Sequence, residues 1–362
     1  MKSDMFRLWI ASANESVQAK RYLYNNFSDE MELKKVINTN KIHLPNIINT
    51  DRLIECYNKL LEKNIMSYMD CNDIKLVMED DIDYPEGLKR SSNAPVGLFY
   101  KGDISKVGSR KTMAVIGSRK STRYGEDVTA CIIEGLKNYN INIASGLARG
   151  IDTMAHVSAL NNGLNTVAVL GSGIDVVYPP ENRNLFERII EAGGCIISEY
   201  PLGTPAYERN FPMRNRIISG ISDLILVTEA GERSGTMITV GAALDQGKDV
   251  MAVPGSIFSP GSAGTNALIE DGAFVFKKIE DIIVVMHLEN EDLKNYSAEY
   301  EKAEENQVLL KIINETPIHI EEIIRRTNID IKQLYKLLFE LQVKDEITSL
   351  GGNNYVRKNK SL

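Results

Sequence analysis

The chain of 362 residues is poor in the residue types that build metal centres and disulfide frameworks, with four Cys, four His and one Trp. Cys56, Cys71, Cys131 and Cys195 lie far apart, form no CxxC pair and have no His at ligand spacing, which predicts reduced thiols in a cytoplasmic protein and no bound metal. No window approaches about 18 uninterrupted apolar residues, and Lys2, Asp4 and Arg7 interrupt the first ten, so neither a membrane span nor an export segment is expected. GxxxxGK[ST] is absent, and the third glycine of a dinucleotide fingerprint beginning at Gly171 and Gly173 is replaced by Val176, which disfavours ATP hydrolysis and NAD binding. There is no nucleophile with a base and an orienting group, and no carboxylate pair of recognisable spacing; the expectation is a binding protein without catalysis or cofactor. A surplus of positive charge is also missing, since 42 Lys and Arg face 49 Asp and Glu for a net charge of −7.

That total conceals segregation. From Lys101 to Arg123 seven basic residues stand against Asp103 alone, whereas between Glu289 and Glu305 seven acids face Lys294 and Lys302. A ligand meets the local field, so the sum does not exclude nucleic acid.

What is abundant is a repeated event. Four times between Met113 and Gly235 a short apolar run leads into a Gly-centred polar loop: Gly117-Ser118-Arg119, Ser145–Asp152, Gly171–Asp175 and Gly231–Thr236. Strands are predicted at Met113–Ile116, Ile141–Ala144, Thr166–Leu170, Cys195–Glu199, Leu224–Thr228 and Val250–Val253, with helices such as Gly125–Lys137 and Thr236–Gln246 between them. Continuous apolar strands alternating with helices define an α/β fold, a doubly wound sheet with both faces covered. All such loops then emerge at the carboxyl ends of the strands and form one floor. Glycine admits backbone N–H groups close to a phosphate, the following helix offers its positive end, and Arg119, Arg149 and Arg233 add guanidinium forks.

Before the sheet, residues 1–75 read as short amphipathic helices, including Ser16–Asn25, Glu30–Asn38 and Asp51–Lys63, and form a small helical N-terminal domain. The sheet domain covers 76–286 and an acidic linker 287–306. Residues 307–362 read as three helices, Val308–Ile313, Ile320–Arg326 and Ile331–Leu341, and a two-stranded wing turning on Gly351-Gly352: a winged helix-turn-helix domain.

Each motif has a plainer alternative. Gly117-Ser118-Arg119 is a phosphate turn or an ordinary strand-to-helix turn with a solvated Arg. In Gly146–His156, Arg149 can touch phosphate while Asp152 caps the helix it opens; His156 reads as a hydrogen-bonded structural residue. Tyr178, beyond Gly171 and Gly173, either stacks on a base or packs its own loop. Arg209, Asn210, Phe211, Arg214, Asn215 and Arg216 mix cations with aromatic and amide groups, as single-stranded nucleic acid requires, or pair with carboxylates such as Glu199 and Glu229.

Taken together, these stretches resemble the DNA processing protein A family, also called DprA or Smf. The resemblance is carried in order by Tyr84-Pro85 and Leu98–Gly102; Ala114–Arg119; Ser145–Asp152 with Ala155-His156; Leu170–Asp175 with Tyr178-Pro179; Ser198–Pro201; Phe211–Ile217; Ser234-Gly235-Thr236; and Val253-Pro254-Gly255. It implies an extended Rossmann-like domain that dimerises, binds and protects single-stranded DNA in a basic pocket, and loads the RecA recombinase during natural transformation. It places Gly117, Ser118 and Arg119 first among DNA contacts and Arg183 after the Tyr-Pro pair; Gly146, Arg149, Gly171, Gly173, Ser234, Gly235 and Thr236 of the loop floor complete the candidate contacts. Ile10–Asn14 lacks the family's Gly-Ile-Gly turn, so DNA contact by the first domain is not expected. A competing reading compares Gly231–Thr236 with the PGGxGTxxE loop of nucleotide phosphoribohydrolases of the lysine-decarboxylase-like type; Thr239 stands where their glutamate would be.

Overall fold

The computed structural model describes residues 2–39, 44–91, 93–232, 234–289, 306, 308–314, 316–327, 329–343, 346–350 and 352–358. Arg233, Gly351 and nearly all of the acidic linker fall outside them. The chain divides into two compact units between Glu289 and Asn290.

The first unit opens with five helices, α1 (Asp4–Ser12), α2 (Val17–Asn26), α3 (Glu30–Thr39), α4 (Thr50–Glu62) and α5 (Ile65–Cys71). Side-chain caps start three of them: Ser3 accepts from the N–H of Phe6, Ser16 from Ala19 and Asn49 from Arg52. Helix α1 falls in the stretch read as short amphipathic helices but was given no bounds there; its Phe6, Leu8, Trp9, Ile10 and Ala11 are buried while Asp4 stays exposed. Trp9 is fully buried, donates from Nε1 to the Leu53 carbonyl at 2.7 Å and meets the Tyr57 ring edge-on at 4.7 Å. Its apolar cluster also contains Phe99, Leu170 and Ile196 of the sheet, so these helices and the sheet share a core.

The sheet has nine strands: β1 (Lys75–Met78), β2 (Gly97–Gly102), β3 (Lys111–Gly117), β4 (Ile141–Ser145), β5 (Asn165–Leu170), β6 (Cys195–Ser198), β7 (Leu224–Glu229), β8 (Asp249–Ala252) and β9 (Phe274–Val275). Their order is β1-β2-β6-β5-β4-β3-β7-β8-β9. From β6 to β9 every pairing is parallel, and β2 and β1 extend the β6 edge antiparallel. All six expected strands are present within a residue or two; β1, β2 and the two-residue β9 add to them. Helices α6 (Glu86–Lys89), α7 (Ser105–Ser109), α8 (Arg123–Gly135), α9 (Ile151–Asn161), α10 (Arg183–Glu191), α11 (Asn210–Gly220), α12 (Thr236–Asp245), α13 (Ala263–Glu270) and α14 (Ile279–Met286) follow in chain order.

Strand alternation assigns the two faces. Met113 and Val115 of β3 point into a cluster with Ile132 of α8, Ile151 and Ala155 of α9 and Ile282 of α14. Ala114 and Ile116 point into the opposite cluster with Ile217 of α11, Val240 of α12 and Leu268 of α13. Strand order reverses beside β3, between β4 and β7, so the crevice at this switch point opens between the loops that follow β3 and β7.

In the second unit a helical stretch over 308–312 precedes α15 (Ile320–Thr327) and α16 (Ile331–Val343). Strands β10 (Ile318–His319), β11 (Ile347–Leu350) and β12 (Asn354–Arg357) form a sheet in the order β10-β12-β11. The expected two-stranded wing thus gains a third strand, with Gly352 and Asn353 at positive φ in its turn. Leu309, Ile323, Leu334, Leu338, Ile347 and Tyr355 build its core. Among the described residues no helix is long and apolar enough to cross a membrane.

A shared core makes the N-terminal helices and the sheet one cooperative unit. Trp9→Ala is expected to cost about 3–5 kcal/mol, moving the main urea transition followed by circular dichroism to lower denaturant. A small early loss of helix signal with the main transition unmoved would contradict this.

Candidate nucleic-acid interface

The turn after β3 is held by close approaches that only glycine permits. A Cβ on Gly117 would lie 2.6 Å from Ile151 Cγ1 and 2.8 Å from the Glu229 carbonyl, where the β3–β7 register shifts. The Ser118 N–H donates to that same carbonyl at 2.8 Å, and the Ser118 carbonyl accepts from the Ile151 N–H at 3.2 Å. Gly150, at φ +73°, completes the contact, since a Cβ there would come within 2.2 Å of the Ser118 carbonyl. The loops after β3 and β4 are therefore locked together, and Arg119 projects beyond them, exposed, with its guanidinium 4.9 Å from the Phe211 ring centroid.

Phe211, on the first turn of α11, is the wall of this crevice. Its ring rests on Gly171, where a Cβ would meet it at 2.7 Å, and lies 5.7 Å from Tyr178 and 5.9 Å from the Arg214 guanidinium. Arg214 is 3% exposed and works as a strut: Nη1 donates to the Gly146 carbonyl at 2.8 Å and also to the Val169 carbonyl, while Nε donates to Asn215 Oδ1 at 3.1 Å. Asp152 lies close by; a Cβ on Gly146 would be 2.6 Å from both Arg214 Nη2 and Asp152 Oδ2. Burial pushes the Asp152 carboxyl up, and Arg214 pulls it back. Burial lowers Arg214 to about 10, with Asp152 opposing, so the guanidinium stays charged at neutral pH. Floor and wall enclose a cavity of about 520 Å³ lined by Gly117, Ser118, Arg119, Lys120, Phe211, Arg214, Asn215, Ser234, Gly235 and Thr236. Around Gly235 a Cβ would meet nothing within 4 Å, so the start of α12 is open to the cavity.

Several residues expected at the site are placed elsewhere or used differently. Gly171 and Gly173 are buried, the first under Phe211 and the second with its N–H committed to the Thr204 carbonyl at 2.9 Å, so neither presents backbone to a ligand. Asn210 is buried and donates to the Gly171 carbonyl at 3.0 Å. Arg216 pairs with Glu199, realising the plainer alternative for that arginine; Glu229 instead accepts from the N–H and hydroxyl of Thr122 at 2.9 and 3.0 Å. Arg149 is exposed and pairs with Glu181 outside the cavity lining. Arg183 is exposed at the start of α10, also outside that lining, and Arg209 lies over the Tyr207 ring at 5.2 Å. Asp152 does not cap α9, whose first turn has no side-chain cap; its carboxylate turns back to the N–H groups of Gly146 and Ala148 at 3.1 and 3.4 Å. Thr239, noted only as a replaced glutamate, lines the cavity one turn inside α12. The Asp152–Arg214 arrangement went unforeseen because its partners lie on different helices with no local signature.

These commitments set the local charge. Glu181, Glu199, Glu229 and Asp152 are all engaged, leaving Glu208 as the carboxylate at the rim, whereas Arg119 has no carboxylate within ion-pair distance among the described residues. A cation over an aromatic face at a sheet switch point is suited to an anionic, planar ligand.

The fold and site define a class: an extended Rossmann-like protein with a cationic switch-point cavity and a separate winged-helix unit. The family model for DNA recombination-mediator protein A matches residues 75–287 and the DprA winged helix domain model matches residues 295–353; the chain belongs to the DNA recombination-mediator protein A family. Protein Smf of Escherichia coli is 41% identical over 208 residues, covering 58% of this chain and 55% of Smf, so the match spans little more than half of that relative. DNA processing protein DprA of Streptococcus pneumoniae is 42% identical over 200 residues, 55% of this chain and 70% of the relative. The X-ray structure of DprA from Streptococcus pneumoniae aligns with a TM-score of 0.66 at 33% identity, covering 78% of this chain and 98% of that one. A structure of DNA processing protein A from Helicobacter pylori, described for that protein's single-stranded DNA binding mode, aligns with a TM-score of 0.53 at 26% identity, covering 59% of this chain and 95% of that one.

His156 sits beneath the site and is fully buried. Its Nδ1 lies 2.7 Å from Thr166 Oγ1, which itself donates to the Ile143 carbonyl at 2.8 Å. The ring therefore donates from Nδ1, and the bare Nε2 has no partner among the described residues. Burial lowers its pKa from 6.5 to about 3. Between those values the unfolded chain binds the extra proton, so this stabilisation is full above pH 6.5 and is lost as pH falls toward 3. His156→Gln is expected to flatten the stability–pH profile in that window by up to about 1.4 kcal/mol per pH unit; equal slopes for variant and wild type would contradict a neutral imidazole.

Proposed function

We propose that this chain binds single-stranded DNA in the switch-point cavity, with Arg119 on the phosphate backbone, a base against Phe211 or Tyr178, and the open start of α12 at Ser234-Gly235-Thr236 receiving a second phosphate. The observation that carries this reading is the Arg119 guanidinium held 4.9 Å over Phe211 without a carboxylate partner among the described residues. Stacking surfaces beside cations accept any sequence, because every base has a π-face. Family membership and the Helicobacter pylori relative's binding of single-stranded DNA support the same ligand. Following the family pattern, the chain acts in the cytoplasm as a homodimer that protects incoming strands and loads RecA onto them, without catalysis. The hydrolase reading is the weaker one, because Thr239, 3% exposed, stands where its glutamate would be required.

Arg119→Ala is expected to weaken oligo-dT binding by the full chain and to make the slope of log affinity against log salt shallower by about 0.7, one single-strand phosphate's share. Affinity and slope equal to wild type would remove the cavity from the mechanism. Turnover of nucleoside monophosphates abolished by a Thr236 substitution would restore the hydrolase. RecA filament growth on oligo-dT no faster with the chain than without it would remove the loading role.

A further inference from the structure

The basic run from Lys101 to Arg123 is cut in two by the fold. Strand β3 occupies Lys111–Gly117, so Arg119, Lys120 and Arg123 emerge at the carboxyl edge of the sheet while Arg110 and Lys111 lie at its amino edge. There they meet Lys248, from the turn between α12 and β8, around a second cavity of about 280 Å³. Its other walls include Gly108, Ser109 and Ser222.

Among the described residues one carboxylate lines this cavity. Asp223 pairs with Lys111 at 3.4 Å and accepts from the Thr112 N–H at 2.8 Å, so its charge is shared. Arg110 and Lys248 have no carboxylate within ion-pair distance among the described residues. Lys248 is half-buried, its pKa is lowered first by burial and further by Arg90 and Lys111, and Asp223 pulls the other way. A solvated surface would let these cations spread apart; instead they converge on a concavity. An anion able to accept from an arginine fork and an ammonium together would offset both the desolvation and the mutual repulsion.

We propose that the amino edge of the sheet carries a second anion site, formed by Arg110, Lys111 and Lys248, for a phosphodiester of the same nucleic-acid strand that occupies the switch-point cavity. Naming the source as that strand rests on the reading of the carboxyl edge as a single-stranded DNA interface; the cationic cavity does not. The seven residues of β3 separate the edges by roughly 23 Å, so only a strand longer than the first cavity holds would reach both. The second site thus adds affinity for long strands alone.

The full-length chain is titrated at two salt concentrations with an oligo-dT of about 4 nucleotides, the lower end of a single-strand site and too short to bridge the two edges, and with one several times longer. The proteins are wild type, Arg110→Ala, Arg110→Ala with Lys248→Gln, and Arg119→Ala; Arg110→Ala guards against a folding defect from the half-buried lysine. The double variant is expected to bind the short strand as wild type does, the long strand about fivefold more weakly, with a salt slope shallower by about 0.7 per lost phosphate. Arg119→Ala weakens both lengths. Long-strand binding unchanged in Arg110→Ala and the double variant overturns the second site. If those variants lose only thermal stabilisation by inorganic phosphate, the anion is free phosphate and the strand assignment is overturned. If Arg119→Ala binds both lengths normally while the double variant weakens the long one, the amino edge stands and the carboxyl-edge reading falls.

Discussion

The carboxyl edge depends on one buried cation. Arg214 is nearly inaccessible to water, a state that costs several kcal/mol unless the guanidinium is fully engaged. It is engaged by carbonyls at the ends of two neighbouring strands, Gly146 after β4 and Val169 within β5, with Asp152 close by. Those bonds set the first turn of α11 against the sheet, and that turn carries Phe211. Phe211 in turn supports Arg119 from below and meets Tyr178 at its side. The accessible cation is thus aimed by an inaccessible one, through an aromatic ring, and the glycines at 146 and 171 leave room for both.

This arrangement explains which parts were legible in the sequence. Strands β3 to β8 announced themselves as continuous apolar runs because both faces are covered, and their loops followed from Gly placement. Arg119 was legible for the same reason, standing directly after a strand in a Gly turn. The bounds of helix α1 were not, and neither were β1 and β2, which pair antiparallel at an edge. Within the arginine-rich segment, residue type could not separate the exposed Arg209 from the buried Arg214 or from Arg216 tied to Glu199. That distinction is set by which side of α11 faces the sheet, and by partners far away in the chain. Gly171 and Gly173 were expected to bring backbone close to a phosphate; in the structure what approaches them is protein, the Phe211 ring and the Pro201 carbonyl.

A net charge of −7 coexists with cationic cavities because charge is sorted in space. Apart from Glu208 at the rim, acidic groups near the switch point are drawn into pairs and caps, leaving Arg119 and Lys120 to set the field, while a strand's length away Arg110, Lys111 and Lys248 repeat the sign at the opposite edge. The winged-helix unit has its own core.

The central claim, that the ligand of the first cavity is single-stranded DNA lying against Phe211, is tested most directly by photocrosslinking. An oligonucleotide carrying a photoreactive pyrimidine is irradiated with the full chain, and the modified residues are mapped by mass spectrometry. Crosslinks at Phe211 or Tyr178, suppressed by unlabelled oligo-dT, are the predicted result. Crosslinks confined to the winged-helix unit, residues 308–358, would contradict the account.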